Sequence, residues 1–227
     1  MKQNRTKEAE KILKTAKAVI FDVDGTLLDS MYVWKNAGEK YLDSLDIEAE
    51  PDLGDRLFAM SLEGAADYIR ENYHLNESRE AIIAQVIQLV ETEYFYNIPL
   101  KSGAERFLKL LKENNIPMAV ATSSDRRVVE AAFKRLGIFD YFGRIFTCSE
   151  TGAGKDKPDI YYRAAEYLGY PPEKIWVFED AFHAAQTAKN AGFHVTGIYD
   201  SSCTEQEKLK KLADIYMEEF SGNNGLL

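Results

Sequence analysis

The 227 residues are 45% apolar and 29% charged, and 37 acidic against 28 basic side chains leave a net charge of −9. A chain of this length can bury a core without disulfides or a structural metal, and its acidic balance argues against nucleic acid or an anionic membrane as a partner. Cys148 and Cys203 stand far apart with no C-x-x-C spacing, which excludes a disulfide scaffold or a thiolate zinc site and fits a reducing, cytoplasmic compartment.

The N-terminal residues 1–17 are charged throughout and carry no apolar core of a secretory signal. Residues 5–17 read as a short polar helix leading into Ala18-Val19-Ile20-Phe21, a continuously apolar run expected of a strand buried on both faces of a parallel sheet. From residue 30 to residue 96 strand signals vanish, and helical spacing appears at Leu57, Phe58 and Met60 and again at Ile82, Ile83, Val86, Ile87 and Val90. The longest apolar stretch, residues 81–90, is interrupted by Gln85 and Gln88 and is too short to span a membrane.

After Pro99 the pattern alternates. Phe107, Leu108, Leu110 and Leu111 mark a helix, residues 116–121 a strand, and Val128, Val129, Ala132, Phe133 and Leu136 a second helix stopped by Gly137. A short strand at residues 145–147 precedes a helix over 158–168, stopped by Gly169. Residues 175–178 read as a buried strand, followed by an Ala-rich helix to Gly192 and a strand over 193–197. Thr204 and Glu207 have the spacing of a capping box. Strands alternating with helix-length spacers imply right-handed crossovers and a doubly wound parallel sheet. The expected organisation is an α/β core formed by residues 1–29 and 98–227, interrupted by a helical domain at 30–97.

Ligands collect beyond the carboxyl ends of the strands in such a sheet. Leaving the strands at that edge are Asp22 and Asp24, then Thr122, Ser123 and Ser124, then Lys155 in a glycine-containing loop, and finally Glu179 and Asp180. Four converging carboxylates repel one another unless a cation sits among them, and oxygen ligands suit Mg2+. Hydroxyls before a helix start, together with a lysine, make an anion cradle. This is equipment for phosphoryl transfer, and a carboxylate can itself be the nucleophile.

D-V-D-G-T-L at residues 22–27, the Thr122-Ser123-Ser124 strand end, Lys155 and the Glu179-Asp180 pair together resemble the four motifs of the haloacid dehalogenase superfamily, over residues 17–220. The helical insert after the first motif resembles that of the β-phosphoglucomutase-like branch. The resemblance implies a Rossmann-like core and a helical cap. It implies that Asp22 attacks phosphorus, that Asp24 serves as acid and then base, and that Thr122, Ser123 and Lys155 hold the phosphoryl group. It further implies that Mg2+ is held by Asp22, the main-chain carbonyl of Asp24, Asp180 and Glu179. Two departures stand out. The third motif of this branch usually reads Lys-Pro-x-Pro-Asp, but here Lys155-Asp156-Lys157-Pro158-Asp159 leaves Lys157 as a rival; in the fourth, Ala181 and Ala184 replace Ser and Gly.

The implied activity is hydrolysis of a small phosphorylated metabolite by a chain with monomer as the default assembly. A sugar-phosphate mutase is the competing enzyme, and the mutases of this branch carry a histidine shortly after the first motif, where this chain has Met31-Tyr32-Val33-Trp34. A catalytically idle binding protein is the competitor from another class. A phosphate loop of the Walker type at residues 152–155 is excluded, because it requires glycine at 149 and Ser or Thr at 156, where Ser149 and Asp156 stand. His183 reads as a helix-surface residue, Thr26 as a support of the turn, and Trp34 as a specificity candidate in the helical domain.

Overall fold

The computed structural model describes residues 7–220. They divide into two compact units, residues 7–29 with 99–220, and Ser30–Ile98.

The first unit is built on six strands: β1 (Ala18–Phe21), β2 (Met118–Thr122), β3 (Arg144–Thr147), β4 (Ile175–Glu179), β5 (His194–Ile198) and β6 (Ile215–Met217). All neighbours are parallel, in the order β3-β2-β1-β4-β5-β6. Every residue of β1, β2 and β4 is buried, including Thr122 and Glu179 at the ends of otherwise apolar runs, as expected of strands covered on both faces. One face holds Ala18, Ile20, Ala119, Ala121, Val177 and Val195, which pack against Ile160, Tyr161 and Ala164 of the helix Asp159–Leu168 and against Ala185 and Ala188 of the helix Phe182–Asn190. The alternate residues feed an aromatic cluster: Phe21 and Phe178, paired across β1 and β4, have ring centroids 4.6 Å apart, and Phe107 lies 5.4 Å from both Phe178 and Phe220. The chain winds to β2 and β3 on one side of β1 and to β4, β5 and β6 on the other. The strand order therefore reverses between β1 and β4, which is where an open α/β sheet leaves a crevice.

Most elements of this unit fall where periodicity places them, with particular differences. The first helix spans Lys7–Thr15, and residues 5 and 6 of the expected helix lie outside the described residues. Strand β2 begins at Met118 and not at Ile116; Pro117 has no N–H to give to a ladder, and its carbonyl accepts from Val19 N at 3.0 Å. The expected capping box at Thr204 is not formed: the helix Gln206–Leu212 has Glu205 at its N-cap and no side-chain cap bond. Strand β6, three residues long, carries too short a pattern to be read from sequence. Gly137, Gly169 and Gly192 all have positive φ just beyond helix ends, the conformation that stops a helix with least strain when no Cβ is present.

The second unit is entirely helical: Met31–Lys35, Ala37–Asp43, Leu53–Phe58, Leu62–Asn72 and Arg79–Tyr96. Ser61 and Ser78 cap the two longest helices by accepting from Gly64 N at 3.1 Å and Ala81 N at 3.2 Å. Val33, Tyr41, Leu42, Ile69, Ile82, Val86, Val90 and Tyr94 are buried, and the Trp34 indole donates to Tyr94 Oη at 3.2 Å. No helix among the described residues is long and apolar enough to cross a membrane.

Candidate active site

The site begins where β1 stops. Asp22 N donates to Phe178 O at 3.0 Å, so the β1–β4 ladder continues one residue past Phe21 and fixes the direction in which Asp22 leaves the sheet. The chain then folds into a tight loop in which Leu27 N and Leu28 N both donate to Val23 O and Gly25 N donates to Leu28 O. Gly25 has φ +75°, and a Cβ there would stand 2.7 Å from Asp180 Cγ. Only glycine permits both the turn and the approach of this carboxylate.

Strand β4 delivers Glu179 and Asp180 on the other side of the crevice, and a ligand oxygen from each of Asp22, Glu179 and Asp180 lies within 4.8 Å of the others. All three residues are buried. Lys155, 7% exposed, arrives from the loop before the helix Asp159–Leu168; its Nζ contacts Asp22 Oδ1 and donates to Glu179 Oε1 at 2.6 Å. Lys157 is exposed. Strand β2 supplies Thr122, wholly buried, whose Oγ1 accepts from Ser124 N at 3.0 Å; the Ser124 hydroxyl donates to Asp24 Oδ2 at 2.5 Å. Ser123 is exposed, with its Oγ 3.5 Å from Cys148 Sγ.

Burial pushes the Asp22 carboxyl up to about 7; Lys155 opposes the rise, and Glu179 and Asp24 add to it. Burial and the nearby Asp22 charge push Asp180 up to about 8, against a hydrogen bond from Thr26. Burial also raises Glu179 above the usual carboxylate range in spite of Lys155. For Lys155, burial alone would lower the ammonium, but Asp22 and Glu179 outweigh it and hold the group charged. Three buried acids therefore share one ammonium, and the excess negative charge is relieved either by protons or by a cation. An all-oxygen donor set fits a hard divalent ion. Asp24 is not part of this side-chain group; its carboxylate is engaged by Ser124, so the ligand that the resemblance implies for it is its main-chain carbonyl.

The structure thus brings Asp22, Glu179, Asp180 and Lys155 into direct proximity, ties Asp24 to the Thr122–Ser124 segment, and leaves Ser123 and Lys157 exposed. It also holds three links that sequence reasoning did not see. Thr26 Oγ1 donates to Asp180 Oδ1 at 3.0 Å, so it supports an acid of the site as well as the turn. Ser124 engages Asp24, although it stands in the same hydroxyl run as Thr122. Tyr161 Oη donates to Glu179 Oε1 at 2.7 Å, and nothing in the one-dimensional pattern marks a helix tyrosine for that purpose.

Comparison with known proteins identifies the family. The family model described as haloacid dehalogenase-like hydrolase matches residues 16–192. A Drosophila melanogaster protein named "Probable pseudouridine-5'-phosphatase" is 31% identical over 225 residues, covering 93% of this chain and 96% of its own. The phosphorylated carbohydrates phosphatase of Thermotoga maritima is 28% identical over 77% of this chain and 81% of its own. A crystal structure from the same organism, of a "putative beta-phosphoglucomutase", superposes with a TM-score of 0.80 at 26% identity, covering 88% of this chain and 93% of that one.

Proposed function

We propose that this chain, which belongs to the haloacid dehalogenase-like hydrolase family, is a Mg2+-dependent phosphatase acting on a small phosphorylated metabolite through a phosphoaspartyl intermediate on Asp22. The observation that carries the proposal is the Lys155 ammonium lodged between Asp22 and Glu179, inside a buried group of three acids at the β1–β4 crevice.

Asp22 is the nucleophile in this reading. Its contact with Lys155 is made through Oδ1, and a phosphoryl group drawn to the same ammonium would stand beside the carboxylate that attacks it. Asp22 forms a new O–P bond as the ester O–P bond breaks, and Asp24 passes a proton to the departing alkoxide. Asp24 then takes a proton from water; the resulting hydroxide attacks phosphorus, the Asp22–P bond breaks and inorganic phosphate leaves. Ser124 holds the Asp24 carboxylate for both transfers. Thr122 and Lys155 bind phosphoryl oxygens and offset their charge. Asp22, Asp180, Glu179 and the Asp24 carbonyl would hold the divalent ion, which would supply electrostatic stabilisation of the charge that builds on the transferring group.

Release of inorganic phosphate from a panel of phosphorylated metabolites, with and without Mg2+, tests the proposal. The names of the relatives put pseudouridine 5'-phosphate and sugar phosphates first in that panel. Turnover that needs Mg2+ supports the reading; no turnover on any ester defeats it. Likeness to a structure assigned as a beta-phosphoglucomutase favours a second reading, a sugar-phosphate mutase. Isomerisation of a hexose phosphate stimulated by a bisphosphate would select it. The absence of histidine from residues 31–34 supports hydrolysis.

A further inference from the structure

Tyr161 has no part in the steps above, yet its hydroxyl reaches the middle of the site. It lies in the helix Asp159–Leu168, is fully buried, and places its ring 6.1 Å from that of Phe193. A phenylalanine would fill the same apolar space without bringing a polar atom into the core, where an unpaired hydroxyl is costly. The hydroxyl is paired here, and its partner is informative. Glu179 Oε1 receives Tyr161 Oη at 2.7 Å and Lys155 Nζ at 2.6 Å, and Lys155 reaches on to Asp22.

We infer that Tyr161 is a positioning residue that acts through Glu179 to fix the Lys155 ammonium where the transferring phosphoryl group is gripped. The inference rests on the phosphatase reading above and deepens it. A carboxylate oxygen held by two donors from different parts of the chain, a loop lysine and a helix tyrosine, cannot turn without breaking one bond. Without the phenol, Glu179 keeps only the flexible lysine as a partner, and the two can move together. The same arrangement gives Glu179 Oε1 to the lysine.

The test is Tyr161→Phe, which keeps the ring and removes one oxygen. Inorganic phosphate is titrated calorimetrically into the Mg2+-containing protein, and KM, kcat and the half-activating Mg2+ concentration are measured on the best substrate. The expected result is phosphate binding weakened about five- to tenfold, KM raised by a similar factor, kcat changed less, and the Mg2+ concentration moved by less than about twofold. In a Lys155→Ala background, Tyr161→Phe should add no further loss of phosphate affinity, because the group it positions is gone. Phosphate affinity unchanged by Tyr161→Phe would overturn the inference. So would a shift in the Mg2+ concentration alone, or an equal further loss in the Lys155→Ala background. A wild-type protein that binds phosphate but hydrolyses no ester defeats the phosphatase reading while the phosphate titrations still decide the role of Tyr161; one that binds no phosphate defeats both.

Discussion

Thr26 and Asp180, 154 positions apart in the chain, are joined by a 3.0 Å hydrogen bond from the Thr26 hydroxyl to Asp180 Oδ1. The loop after β1 and the end of β4 are therefore held together by side chains as well as by the ladder. A net hydrogen bond contributes about 0.5–1.5 kcal/mol, and more when a bound cation keeps the acceptor charged. Thr26→Val, nearly isosteric, should lower thermal stability and weaken Mg2+ activation several-fold with KM little changed. Equal Mg2+ activation in variant and wild type would show that Asp180 does not depend on this support.

The raised Asp22 and Asp180 carboxyls set a sign for pH. Groups whose folded values lie near 7 and 8, above an ordinary value of 3.8, favour the fold most when protonated, and that contribution is lost as pH rises from about 4 through 8. Metal-free Asp180→Asn should therefore gain stability relative to wild type between pH 5 and pH 8, and Mg2+ should raise the melting temperature of wild type and not of the variant. Melting curves at several pH values, with chelator and with Mg2+, would reveal a constant gap if the reasoning is wrong.

Asp22→Asn should abolish turnover, by a factor of about a thousand or more, in a folded protein. Mass spectrometry of acid-quenched wild type should detect the phosphoryl adduct on Asp22, and the variant should carry none. Retention of most activity by Asp22→Asn would remove covalent catalysis from the account.

The two lysines of the third motif part company in their surroundings: Lys155 is buried against two carboxylates, and Lys157 is exposed. Lys155→Ala should lower kcat/KM by about a hundredfold or more, since it removes a charged contact to the phosphoryl group and leaves Asp22 and Glu179 without their cation. Lys157→Ala should stay within about twofold of wild type. Kinetics on the two variants with one substrate decides the matter.

Ser124→Ala frees the Asp24 carboxylate from its 2.5 Å bond. If Asp24 is the acid and base, kcat should fall about tenfold with KM nearly unchanged, because orientation of a proton donor acts in the transition state. A rise in KM with kcat intact would instead make Ser124 a substrate contact.

Sequence alone was enough to place the acids and hydroxyls at one edge of a parallel sheet. Unbroken apolar runs at residues 18–21, 118–121 and 175–178 mark strands buried on both faces. Parallel strands joined by right-handed crossovers must send their carboxyl ends, with Asp22, Thr122 and Glu179, to the same side. Such an inference needs only local period and chain order. Partnership is another matter. That Lys155 and not Lys157 turns inward, that Ser124 engages Asp24, and that the Tyr161 hydroxyl meets Glu179 are contacts between segments far apart in the pattern or on different elements, fixed only when those elements pack together. Two lysines separated by one residue are equivalent in a linear pattern, whereas a folded loop has room and opposite charge for only one of them. Tertiary packing makes that selection because the energy of a buried charge depends on partners contributed by remote segments, which no local spacing encodes.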